Sequence, residues 1–192
     1  DRIATLPGVK SIDDLANRPH DCDLLLDQNY SAECERRYLG LVPDACRLMV
    51  GPRYALLRPE YAASRKTLGV RDGQVRHVLV FFGGSDPRNM TGIALEALSR
   101  VEFGHLEVDV VIGPNNPHGK ILEKQVEQRP RTAIHGPRPH LADLMAQADL
   151  AIGAGGATTW ERMCMGLPSV VVSIAENQRP ICEALAEERL IY

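Results

Sequence analysis

With 192 residues and 44% hydrophobic content, the chain can bury the core of one domain, or of one domain and part of another. Its net charge of −3 excludes a general attraction to nucleic acid or anionic membrane, and neither Arg36-Arg37 nor residues 129–138 form a basic patch interleaved with aromatics. No apolar run approaches the ~18 residues of a membrane-spanning helix, and Asp1-Arg2-Ile3 opens no secretory leader. The expectation is a cytoplasmic protein with neither nucleic acid nor membrane as a partner.

The first residues suggest a turn at Leu6-Pro7-Gly8 and a short strand over 9–12. Asp21-Cys22-Asp23 precedes an apolar run, Leu24-Leu25-Leu26, that reads as a strand. Acidic pairs that hold a metal in nucleotide-sugar enzymes follow their strand, so this one reads as ordinary strand-edge acids. Residues 32–38 suit a short helix, and 47–50 form a further apolar stretch. Pro59 suits the first turn of a helix over 60–68. The polar stretch 69–76, with Asp72-Gly73 as its turn, marks the expected boundary. Residues 1–70 are then the incomplete end of an N-terminal domain and 77–192 a C-terminal domain. The opening in mid-architecture leads us to expect more chain before Asp1. Five cysteines without a CxxC pair, three of them spaced twelve apart at Cys22, Cys34 and Cys46, fit no zinc pattern. They read as free thiols, with no metal and no cofactor expected.

From His77 the pattern alternates regularly. Strands are expected over 78–82, 108–112, 132–135, 150–152 and 170–172, and helices over 91–100, 120–128, 141–148, from Thr158, and over 180–188. Five βα units in succession predict an α/β domain with a parallel, doubly wound, Rossmann-like sheet.

The stretch 152–178 organises this domain as strand, glycine loop, helix, strand and polar loop. Both loops leave the C-terminal ends of their strands, where open α/β sheets place ligands. Glycines at 155 and 156 let backbone approach a ligand, and Ala157-Thr158 opens a helix whose N–H groups can meet an anion. Gly83-Gly84-Ser85 repeats the device on another strand. Together the loops suggest a nucleotide-diphosphate cradle, although a single glycine turn is more often structural. Glu161 has two readings, a capping-box glutamate reaching back to the helix start or a carboxylate accepting both hydroxyls of a ribose. Asn177 is either a turn residue capping the last helix or a polar group at a ligand.

Gly84-Ser85, GGATTWE, the spacing from Glu161 to Gly166-Leu167-Pro168 and the late Asn177-Gln178 resemble the C-terminal half of GT-B nucleotide-sugar enzymes. Residues 12–30, 41–61, 81–91 and 152–178 are together similar to the UDP-sugar hydrolases of pseudaminic acid biosynthesis, relatives of the lipid II-forming N-acetylglucosaminyltransferase. The resemblance implies a GT-B-like architecture and a metal-independent reaction in which water displaces UDP from C1 of a UDP-linked 2,4-diacetamido-2,4,6-trideoxyhexose. It also implies a place in nonulosonic acid synthesis for flagellin glycosylation, with other enzymes of that pathway as partners. By position it assigns the diphosphate to Gly84, Ser85, Gly156, Ala157 and Thr158, the ribose to Glu161 and the uracil to backbone near Pro137-Arg138. Gln178 joins the substrate-binding set, and Asn177 falls near the sugar and the reacting centre as the candidate catalytic residue. The Gly-His loop that carries the catalytic histidine in such hydrolases has no match here, and His20, His77, His105, His118, His135 and His140 do not align with it. A GT-B glycosyltransferase and a non-catalytic nucleotide-sugar binding module remain open alternatives.

Overall fold

The computed structural model describes residues 8–31 and 33–192. The expected turn residues Leu6 and Pro7, and Ala32 at the start of the expected helix, lie outside them. Strands β1 (Lys10–Ile12), β2 (Leu24–Asp27) and β3 (Arg47–Val50) form a small parallel sheet in that order. β2 is its centre and is buried along its whole length, which explains why the Leu24-Leu25-Leu26 run carries no polar alternation. In place of a helix over 32–38 there is a three-residue 3-10 turn, Arg36–Tyr38. Its last residue anchors it. Tyr38 is fully buried, and its hydroxyl lies 3.0 Å from Asp27 Oδ2 and 3.1 Å from Asp13 Oδ2. Asp23, of the acidic pair, accepts the Val9 N–H at 2.8 Å.

The second sheet holds β4 (His77–Phe81), β5 (Glu107–Val111), β6 (Thr132–His135), β7 (Leu150–Ala154) and β8 (Ser169–Val172). All pairs are parallel, in the order β6-β5-β4-β7-β8. Side chains alternate across the sheet. Val78, Val80, Val108 and Val110 pack under α2 (Met90–Leu98) and α3 (Gly119–Gln128). Leu79, Val111 and Ala151 pack on the other face, with α4 (Ala142–Gln147) and Met165 at the end of α5 (Thr158–Cys164). Each fully buried valine or leucine contributes about 1.5–3 kcal/mol. The doubly wound Rossmann-like arrangement expected from the strand–helix alternation is therefore the observed one.

Helix α1 (Pro59–Thr67) lies before the expected boundary yet packs on α4 and α5, with Tyr61 wholly inside their core. The polar stretch 69–76 is tied down as well. Arg71 donates to the carbonyls of Met145, Ala148, Met165 and Gly166 at 2.8–3.0 Å, closing the C-terminal ends of α4 and α5. α6 (Arg179–Glu187) follows β8, and its Leu185 joins Trp160 and Ile191 in a cluster that also takes in Tyr30, Ala55 and Leu57. Tyr192 pairs through its backbone with Ser169 and Val171 of β8.

Candidate functional site

β4 is followed in sequence by its neighbour β5, whereas its other neighbour, β7, is reached only after the chain has crossed back over the sheet. The order of winding thus reverses between β4 and β7, and ligands of open α/β sheets bind outside the strand ends at such a point. Phe81 of β4 pairs with Gly153 of β7. Gly84 and Gly156 each follow three residues beyond that pair, so the two glycine loops leave adjacent strands at one level. Among the described residues, no acceptor meets the N–H groups of Gly84, Ser85, Gly156, Ala157 or Thr158. Gly113, at the end of β5, presses on the first loop. A Cβ there would collide with the carbonyl oxygens of Gly83 and Gly84, and Asn115 N donates to Gly84 O at 2.9 Å.

The start of α2 is not available to an anion. The buried Asp86 carboxylate already accepts from Met90 N, Thr91 N and Thr91 Oγ1 at 2.6–2.9 Å. Phosphate contacts from this loop are left to residues ahead of the helix, among them the exposed Gly84 and Ser85. On β7 the helix start is uncapped: Ala157 makes no side-chain capping bond.

Pro137, Arg138, Thr158 and Glu161 line one cavity of about 170 Å³, together with Tyr61, Gly113 and His140. The N-cap of α5 is Ala157, which puts Glu161 one position beyond the place of a capping-box glutamate. Its carboxylate shares the cavity wall with the Tyr61 hydroxyl, which lowers its pKa and itself accepts the Leu141 N–H at 3.0 Å. Burial pushes the Glu161 pKa above the ordinary carboxylate value, against the opposing pull of Tyr61, Arg162 and Arg58. Burial likewise raises the Tyr61 pKa, so this phenol is a hydrogen-bond donor and not an acid. The His140 ring meets Tyr61 edge-on, with ring centroids 6.4 Å apart, and its buried Nδ1 has no partner among the described residues. Arg138 is held by Asp143 at 2.9 Å.

Gln178 stands beside the second glycine loop. Its Oε1 accepts the Ile174 N–H at 3.0 Å, and its Nε2 lies 3.7 Å from where a Cβ on Gly156 would sit. Asn177 is placed differently. It does not cap α6, whose N-cap is Gln178, and it lines a separate cavity of about 380 Å³ with Asp14, Tyr30, Ser31 and Arg37 from the first half of the chain. Arg37 is fixed there by the buried Asp27 at 3.0 Å.

The structure therefore gathers Pro137, Arg138, Thr158 and Glu161 in one cavity and sets Gly156 beside Gln178. Gly84 and Ser85 occupy the adjoining loop, and Asn177 faces the first sheet. The sequence reading missed Tyr61, Arg162, and the Asp14 and Arg37 walls of the Asn177 cavity. Arg162 appears in the sequence only as a charged residue on a short helix, which does not distinguish a buried arginine from a solvated one. A cavity of about 530 Å³ on the α2 side, lined mainly by apolar groups such as Val78, Phe82, Leu150 and Val172, contains none of these residues. Among the described residues no helix is long and apolar enough to cross a membrane, and no group of three or more His, Cys, Asp or Glu side chains is placed to hold a metal.

This is an α/β fold of the Rossmann-like, GT-B kind. The crystal structure of Acinetobacter baumannii MurG aligns with it at a TM-score of 0.57 and 18% identity, over 88% of this chain and 51% of that one. In sequence, the chain is 32% identical over 143 residues to the spore coat polysaccharide biosynthesis protein SpsG of Bacillus subtilis, an alignment covering 74% of this chain and 42% of that protein. It is 25% identical over 183 residues to the UDP-2,4-diacetamido-2,4,6-trideoxy-beta-L-altropyranose hydrolase of Campylobacter jejuni, covering 94% of this chain and 64% of the hydrolase. An uncharacterized protein of Methanocaldococcus jannaschii is 32% identical over 134 residues, 67% of this chain and 28% of its own length. The chain thus spans less than two thirds of each of these curated relatives. No family model matches it.

Proposed function

We propose that this chain binds the UDP portion of a nucleotide sugar and serves a hydrolase that releases UDP from a UDP-linked 2,4-diacetamido-2,4,6-trideoxyhexose by attack of water at C1. The observation that carries the reading is the pairing of Phe81 with Gly153, which sets two glycine loops with unused N–H groups side by side at the reversal point of the sheet. A diphosphate there takes the N–H groups of Gly84, Ser85, Gly156, Ala157 and Thr158, with the Gln178 amide beside Gly156. Glu161, beside Tyr61 in the cavity wall, accepts the ribose hydroxyls, and the uracil lies along the Pro137-Arg138 backbone in the same cavity. Charge that develops on the leaving diphosphate in the transition state is met by fixed N–H donors.

The sugar then extends toward Asn177 and the cavity it shares with Asp14 and Arg37. Residues up to 70 form the end of the acceptor-side domain in this account and 77–192 the UDP-binding domain, with α1 packed on the latter. Asn177 orients water or the sugar and does not take the proton, because an amide is no base near neutral pH. The resemblance assigns that task to a Gly-His loop without a match in this sequence.

Resemblance to a polysaccharide biosynthesis protein at 32% identity favours one second reading, a glycosyltransferase of the same fold. The two are separated by supplying the UDP-sugar, with and without acceptor, to a chain that carries the Gly-His loop. UDP release in water alone, unchanged by acceptors, is the expected result. Release that requires an acceptor makes the protein a transferase, and UDP binding with no release under either condition makes it a binding module.

A further inference from the structure

Two arginines of this domain are buried without a carboxylate in ion-pair range among the described residues, Arg129 at 5% exposure and Arg162 at 2%. They differ in how they are satisfied. Arg129 uses all three nitrogens, donating to the carbonyls of Leu98, Phe103, Leu106 and Pro130 and to the Thr132 hydroxyl. It is a structural tie. In Arg162 only Nη2 is engaged, with Ala154 O at 2.9 Å and Thr159 Oγ1 at 3.0 Å. Its Nε is buried without a partner.

The place of that unsatisfied cation is specific. Helical side chains lean toward the N-terminus of their helix, so the guanidinium reaches back beneath the first turn of α5. It contacts Ala154, the last residue of β7, directly under the Gly155–Ala157 loop. A Cβ on Gly153 would collide first with the Phe81 carbonyl oxygen and would also lie 2.9 Å from Arg162 Nη1, so the guanidinium is packed close against β7. Glu161 acts on this charge only from outside ion-pair range. A buried charge without a directly paired counter-ion is costly to keep, so that replacing such a group by an apolar one of similar size is often neutral or stabilising. An anion on the outer side of the loop would supply the missing charge across one layer of backbone, where low dielectric strengthens the attraction.

We propose that Arg162 is the buried counter-charge for an anion seated on the Gly155–Thr158 loop, a positioning residue that favours a diphosphate there without touching it. This rests on the diphosphate reading of the loop. Burial lowers the Arg162 pKa to about 10, against the smaller opposing pulls of Glu161 and Cys182.

The test uses the 192-residue chain, inorganic pyrophosphate and UDP as probes, and the variants Arg162→Met, Arg162→Gln and Arg162→Lys. Calorimetry on the two neutral variants should show pyrophosphate and UDP affinity lowered at least tenfold. Their ligand-free melting temperature should stay at or above that of the wild type, and the upward shift on adding pyrophosphate should disappear. Arg162→Lys should recover most of the affinity. Neutral variants that melt lower but bind pyrophosphate like the wild type would overturn the proposal and leave Arg162 a structural tie. Failure of both neutral variants to fold would overturn it too, because the ligand-free fold would then already need the charge. A wild-type chain that binds neither probe would instead remove the diphosphate reading of the loop, a separate outcome.

Discussion

Gly155 and Cys182 are packed so closely that no side chain fits between them. A Cβ on Gly155 would collide with the Cys182 Sγ and would stand 3.5 Å from both Gln178 Cβ and Val171 Cγ1. Burial raises the Cys182 thiol pKa, so the thiol meets the glycine loop as a neutral group. Helix α6 and the second glycine loop are therefore fitted to each other.

Gly155→Ala should cost about 1–3 kcal/mol, the usual penalty of overpacking a close contact. Adding Cys182→Ala should return more than half of that loss in a thermal melt. A double variant no more stable than Gly155→Ala alone would show that the sulfur is not what excludes a side chain at 155.

Glu161 gives a prediction in pH. Burial raises its pKa in the folded protein above the unfolded value of about 4.3. Between the two values the folded state binds more protons than the unfolded state, so this residue's contribution makes stability fall as pH rises through the window. Only the ionised carboxylate can accept from both ribose hydroxyls, so UDP affinity should rise across the same window. Glu161→Gln should be as stable as the wild type or more so above it, with UDP binding weakened by about 1.5–3 kcal/mol, the range for a hydrogen bond to a charged group. Melting curves and UDP titrations at pH values on both sides of the window check the signs. A Gln variant that binds UDP normally but melts lower would give Glu161 a purely structural role.

Tyr61 supports that carboxylate while accepting the Leu141 N–H. Tyr61→Phe leaves a buried N–H without its acceptor, at a cost of about 1–3 kcal/mol. It also removes the donor that opposes the rise in the Glu161 pKa, so the pH window of UDP binding should move upward. Lower stability with an unmoved window would separate the phenol from the carboxylate.

Those two residues mark the limit of what the sequence discloses. Buried parallel strands announce themselves as apolar runs, and the glycine loops interrupt them, so the sheet, its loops and the residues on them were legible. The partners were not. Tyr61 belongs to a helix that precedes a polar stretch and looked like part of the first half, and only its packing on α4 and α5 brings it to Glu161. Arg162 sits where a charged side chain on a short helix is ordinarily solvated, and nothing local signals that β7 and α6 enclose it. Asp14, Tyr30 and Arg37 meet Asn177 across more than 130 residues of sequence, a separation that no spacing rule spans. At Asp86 the local signal pointed to a loop before a helix, but not to a carboxylate already seated on the helix start.

Asn177 lines a cavity apart from that of Glu161, so the two substitutions should act on different quantities. In a chain competent for UDP release, Asn177→Ala should depress turnover while leaving UDP affinity within about twofold, since the loss of a group that orients reactants falls on the transition state. Parallel titration and rate measurements decide it. An equal loss in both would place Asn177 on the nucleotide.

The central claim, that the two glycine loops together hold a diphosphate, is tested most directly by calorimetric titration of this chain with UDP and with UMP. The β-phosphate adds charge-assisted hydrogen bonds worth roughly 1.5–3 kcal/mol each, so the account predicts UDP binding at least tenfold tighter than UMP. Equal affinity for the two would contradict it.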